Sequence, residues 1–139
     1  MARILALDIG SKRTGVAVTD PLQMIATGLE GVDTKELVPY LKKYMLTENV
    51  ELIVVGKPMQ MNFSESESWE TIQEIAKKIQ LTFIDTPLEY YDERFTSKIA
   101  LQSMKMAGGT KTEMRNKKKV DMVSATVLLQ SYLESKKGL

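Results

Sequence analysis

Asp8 stands inside the apolar run Ile4-Leu5-Ala6-Leu7-Asp8-Ile9, where an unpartnered charge is costly to bury. Side chains alternate along an extended segment, so Ile4, Ala6 and Asp8 share one face and Leu5, Leu7 and Ile9 the other. That places Asp8 near the end of a first strand, partly withdrawn from water. An alternative is an Asx-turn in which Asp8 bonds the Gly10-Ser11 backbone. A second acidic position follows "LEYYD", where Asp92 and Glu93 are neighbours and point to opposite faces, so at most one faces the same site as Asp8. Asp92 suits a structural task at the turn into the next helix, and adjacent loop acids are often only solvated. The third is Asp121, which begins a helical column continued by Ser124/Ala125, Leu128 and Tyr132. The plain alternative for Asp121 is a first-turn acid favoured by the helix dipole, or an ion pair with Lys117 or Lys118.

The chain contains no Cys and no His. Disulfides, thiolate nucleophiles and Cys/His zinc sites are therefore excluded, as is imidazole acid–base chemistry. Three carboxylates at the ends of different core elements leave a hard-oxygen site, which suits Mg²⁺ or Mn²⁺. Carboxylates holding two such ions are a common solution for phosphodiester cleavage, with one ion activating water and the other stabilising the leaving oxygen. Cations sit beside each acid in sequence. Lys12 and Arg13 follow Asp8, Arg94 follows Glu93, and the basic stretch Lys111 to Lys119, with Lys117 and Lys118, lies just before Asp121. That pattern fits phosphate positioning, although Lys runs before helices are often merely solvated.

The elements that must hold these residues can be read coarsely. A length of 139 residues, 43% hydrophobic and 27% charged, fits one globular domain over residues 1–139. The net charge of +1 restricts any nucleic-acid surface to a local patch. No apolar stretch reaches membrane-helix length, and the early Arg3 and Asp8 do not suit a signal peptide, so the expected compartment is the cytoplasm. Residues 3–9 and 14–20 read as two strands about a tight turn, with Gly15 a candidate bulge, and residues 23–30 as a third. Asp33 or Thr34 caps a helix carrying Leu37, Leu41, Tyr44 and Met45. "ELIVV" at 51–55 suits a buried strand, and a second helix runs from about Glu67 to Lys78. "LEYYD" at 88–92 is the fifth strand, a helix follows near Thr96 until Gly108-Gly109, and a last helix spans about Lys118 to Ser135. The order βββαβαβαα indicates an α/β fold, a mixed sheet with helices packed on it.

The stretches "LDIGSKRTGVAVTD", "IVVGKP", "YYDERFTS" and "VDMVSATVLLQSYL" resemble, in order and spacing, those of the YqgF/RuvX family, over residues 3 to 134. Its members are described as Holliday-junction resolvases or pre-16S rRNA nucleases. The resemblance implies a ribonuclease H-like fold with a five-stranded mixed sheet, three strands antiparallel and two parallel. It also implies that Asp8, Glu93 and Asp121 are the metal-binding acids and Lys12 and Arg13 the family's basic pair. "GKPMQMNFSESES" departs from the family pattern. The resulting expectation is a metal-dependent nuclease acting on precursor rRNA, or on branched DNA, as a monomer or a homodimer. Two rivals are a phosphotransferase of the actin/hexokinase type, suggested by "DIGSKRTG", and a nucleic-acid-binding factor without catalysis. The first needs two such domains where 139 residues supply one. Loss of one acid would have favoured the second.

Overall fold

The computed structural model describes residues 2–58, 66–92 and 117–137. Five strands form one sheet: β1 (Arg3–Ile9), β2 (Arg13–Thr19), β3 (Ala26–Asp33), β4 (Val50–Lys57) and β5 (Leu88–Asp92). Their spatial order is β3-β2-β1-β4-β5. β2 is antiparallel to β1 and β3, while β4 is parallel to β1 and β5. Thus β1 is the centre of the sheet and the place where strand direction changes. A 3-10 turn (Thr34–Glu36) leads into α1 (Leu37–Thr47), α2 (Ser66–Thr82) joins β4 to β5, and α3 (Lys117–Lys137) lies toward the C-terminus.

Alternation along β1 divides the interior in two. Leu5, Leu7 and Ile9 join Val16, Val18, Ile53 and Val55 beneath Leu37 and Leu41 of α1 and Ile72 and Ile79 of α2. Ile4 and Ala6 join Ala17 and Val54 beneath Ala125, Leu128, Leu129, Tyr132 and Leu133 of α3. The α3 column anticipated from its spacing is buried as expected. On β5, Tyr91 packs toward α3, its hydroxyl 2.9 Å from the Ser131 hydroxyl and its ring edge-on to Tyr132. Tyr90 turns to the other face and meets Trp69 of α2.

The third strand begins at Ala26, three residues later than the sequence suggested. The apolar residues before it belong to a loop. The Asp20 carboxylate accepts hydrogen bonds from the amides of Leu22, Met24 and Ile25. Those three side chains stand exposed, and Gln23 adopts a positive φ of 58°. The expected cap of the first helix also differs. Asp33 ends β3 without a side-chain cap bond. The Thr34 hydroxyl donates to the Gly10 carbonyl at 2.6 Å and so accepts from Thr14 at 2.9 Å. The helix expected near Thr96 lies outside the described residues.

Candidate nuclease site at the carboxyl ends of the parallel strands

β1, β4 and β5 run in one direction, so their carboxyl ends gather Asp8, Gly56-Lys57 and Asp92 at one end of the sheet. β2 is antiparallel and starts there, at Arg13. Asp8 is partly exposed and, by alternation, faces α3 together with Ile4 and Ala6.

What brings Asp121 to Asp8 is the residue between them. Asp8 pairs in register with Gly15 of β2. A Cβ on Gly15 would overlap the Asp121 carbonyl, so only glycine lets the fifth residue of α3 settle on the strand. Gly28 of β3 gives similar room, since a Cβ there would lie 2.6 Å from the Met122 side chain. The helix-approach role of Gly15 was missed in the sequence. The register irregularity between β2 and β3 falls instead between Val16 and Ala17. The signal was available: a glycine amid β-branched residues marks close backbone approach as well as bulges.

Asp121 does not stand alone. Its Oδ2 accepts a hydrogen bond from Arg13 Nε at 2.9 Å, in an ion pair whose two side chains remain about a third and a quarter exposed. Among the described side chains Arg13 is the cation paired with Asp121. The pairing anticipated with Lys117 or Lys118, which open α3, falls on side chains outside the described set. Lys12 projects into solvent from the turn between β1 and β2. That turn is fixed by the Gly10 amide donating to the Arg13 carbonyl at 2.9 Å and by the Thr34 amide donating to Lys12. Thr34 thus holds the segment carrying Lys12 and Arg13, a role the sequence reading assigned to helix capping.

Of the neighbouring acids, Asp92 shares the Tyr90 face by alternation, the side under α2 and away from Asp8. Glu93 and Arg94 lie outside the described residues. Among the described residues no three acidic side chains cluster as a metal site. The donor chemistry of Asp8 and Asp121, two carboxylates on one face, suits a hard divalent ion.

Residues 2–135 match the family described as "RuvX: Holliday junction resolvase". The chain belongs to the RuvX family. Among its relatives, one from Phocaeicola vulgatus is 52% identical over 137 residues, covering 99% of both chains. Another, from Christiangramia forsetii, is 52% identical over 96% of this chain and 98% of its own. Both carry the name "Putative pre-16S rRNA nuclease". Among solved structures, Thermus thermophilus RuvC bound to a Holliday junction substrate matches with a TM-score of 0.59 at 13% identity, covering 99% of this chain and 97% of that one. A second Thermus thermophilus RuvC structure matches with a TM-score of 0.58. At such identity the likeness concerns the fold, which is ribonuclease H-like with three antiparallel and two parallel strands, as anticipated. No described helix of this RuvX protein is long and apolar enough to cross a membrane.

Proposed function

We propose that this chain is a divalent-metal-dependent endonuclease that processes the 5′ end of precursor 16S rRNA. Asp8, Glu93 and Asp121 hold the metal, and Lys12, Arg13, Arg94, Lys117 and Lys118 hold the substrate. The single observation that carries the reading is the Asp8–Gly15 register, which lets α3 place Asp121 beside Asp8. The position of Asp92 on the far face leaves Glu93 as the acid of that pair assigned to the site.

Mg²⁺ or Mn²⁺, when bound, supplies a Lewis acid that activates water and stabilises the leaving oxygen. The chain's own residues do the rest. Asp8, fixed on the central strand, keeps its carboxylate in place with little reorganisation. Arg13 balances Asp121 in the ion pair and stands ready to contact a scissile phosphate. Lys12, on the clasped turn, adds a backbone phosphate contact that positions without reading sequence. The naming of curated relatives favours RNA over a DNA junction as substrate.

The test incubates the protein with a labelled precursor-rRNA fragment and, separately, a four-way DNA junction, in Mg²⁺, Mn²⁺ or EDTA. The expected result is metal-dependent cutting of the rRNA fragment, abolished by Asp8→Asn in a protein that folds normally. Preferred cutting of the junction moves the assignment to resolvase. Binding without cutting under every condition moves it to a non-catalytic factor, and an unfolded Asp8→Asn chain marks Asp8 as structural.

A further inference from the structure

On the face of the sheet opposite Asp8, but at the same end, the structure exposes an aromatic–cation cluster that the site does not use. Tyr90, on β5, is 38% exposed. Its ring centroid lies 5.1 Å from that of Trp69, in the first turns of α2, with the planes inclined at 64°. Lys57, the last residue of β4, holds its Nζ 5.4 Å from the Trp69 ring centroid. Lys57 pairs in register with Asp92, one residue before Glu93.

Packing alone does not account for this arrangement. An edge-to-face pair cannot cover the faces of both rings, and Tyr90 keeps much of its surface in water. A ring with an open face beside an ammonium offers what one unpaired nucleotide needs, a surface for its base and a charge for its phosphate. A paired base presents no free face, so the cluster discriminates against duplex. Asp92 lies beside Lys57 on the same face and offsets part of its charge, so the rings carry more of the affinity than the lysine.

We propose that Tyr90, Trp69 and Lys57 form a stacking platform for an unpaired stretch of nucleotides that runs over the β5 side of the sheet toward the acidic site. The polymer's identity rests on the nuclease reading above. The platform itself needs neither metal nor cleavage, so the two are tested apart.

Trp69 is the chain's sole tryptophan, and its emission reports on stacking directly. The wild-type protein in EDTA is titrated with a labelled ten-nucleotide single-stranded RNA and with the same sequence as a blunt duplex. Trp69 emission and label anisotropy are followed together. Expected are quenching by the single strand that overlays the anisotropy curve, and weaker binding of the duplex. Tyr90→Leu weakens single-strand binding about ten-fold. Tyr90→Phe, which keeps the ring, stays within about two-fold, and Lys57→Ala loses about two- to three-fold. The platform is overturned if anisotropy shows binding while Trp69 emission is unchanged and Tyr90→Leu binds like wild type. Equal binding of duplex and single strand, or no binding of either, also overturns it. Quenching in a protein that never cuts RNA keeps the platform and removes the nuclease.

Discussion

The two faces of the sheet are packed by opposite means. Under α1 and α2 the contacts are large: Leu5, Leu7, Leu37, Leu41, Ile53 and Ile79 are all fully buried. Under α3 the sheet presents Ala6, Ala17, Gly15 and Gly28, and Ala125 meets them from the helix. The first face gains its stability from apolar volume, as any α/β layer does. The second gives up volume so that a helix backbone can approach a strand closely. That approach delivers Asp121 to Asp8. One face makes the fold stable, and the other makes it specific.

The sharpest way to break this contrast is to add atoms at Gly15. Gly15→Val drives a side chain into the Asp121 backbone, which cannot rotate away, and should cost roughly 3 kcal/mol or more. Urea denaturation measures the loss, and cleavage should vanish even in the fraction that stays folded. Wild-type stability in Gly15→Val would show that α3 is not held by this contact.

On the other face the damaging change is removal. Leu41→Ala leaves a cavity under α1 and should cost about 2–5 kcal/mol. The folded fraction should cut at the wild-type rate, because Leu41 packs on the face of the sheet opposite Asp8. Loss of kcat beyond the loss of folded protein would erase the distinction between the faces.

The smallest effect concerns the loop at the far end of the sheet. The Asp20 pKa is lowered below its ordinary 3.8, chiefly by the Ile25 amide and then, against desolvation, by the amides of Met24 and Leu22. A depressed carboxylate stabilises the fold above its unfolded pKa, and that contribution is lost as pH falls through the folded value. The urea midpoint of wild type should therefore exceed that of Asp20→Asn at neutral pH, and the gap should begin to narrow as pH falls below about 3.8. Cleavage at neutral pH should be equal in the two, since the loop is remote from the site.

These particulars show what the sequence made legible. "LEYYD" was delimited to the residue because strong β-formers end there in two acids. The α3 column was legible because helical periodicity sustained over a helix of 21 residues is hard to mimic. The third strand was placed too early because Leu22, Met24 and Ile25 are apolar without being buried, and a carboxylate rather than a core orders them. Asp8 and Asp121 could be singled out as misfits in apolar company. Their meeting could not, because it depends on strand register and on what Gly15 lacks. Nor could the Arg13–Asp121 pair, since Arg13 is remote in the chain.

The Arg13–Asp121 ion pair spans 108 positions of sequence. Chains are made from the N-terminus, so the strand carrying Asp8, Gly15 and Arg13 emerges long before the helix that completes their surroundings. Until α3 has been synthesised and has settled on the two glycines, a growing chain carries Asp8 and Arg13 without Asp121. The Arg13–Asp121 pair therefore forms only as that helix docks, a late step in the making of the chain.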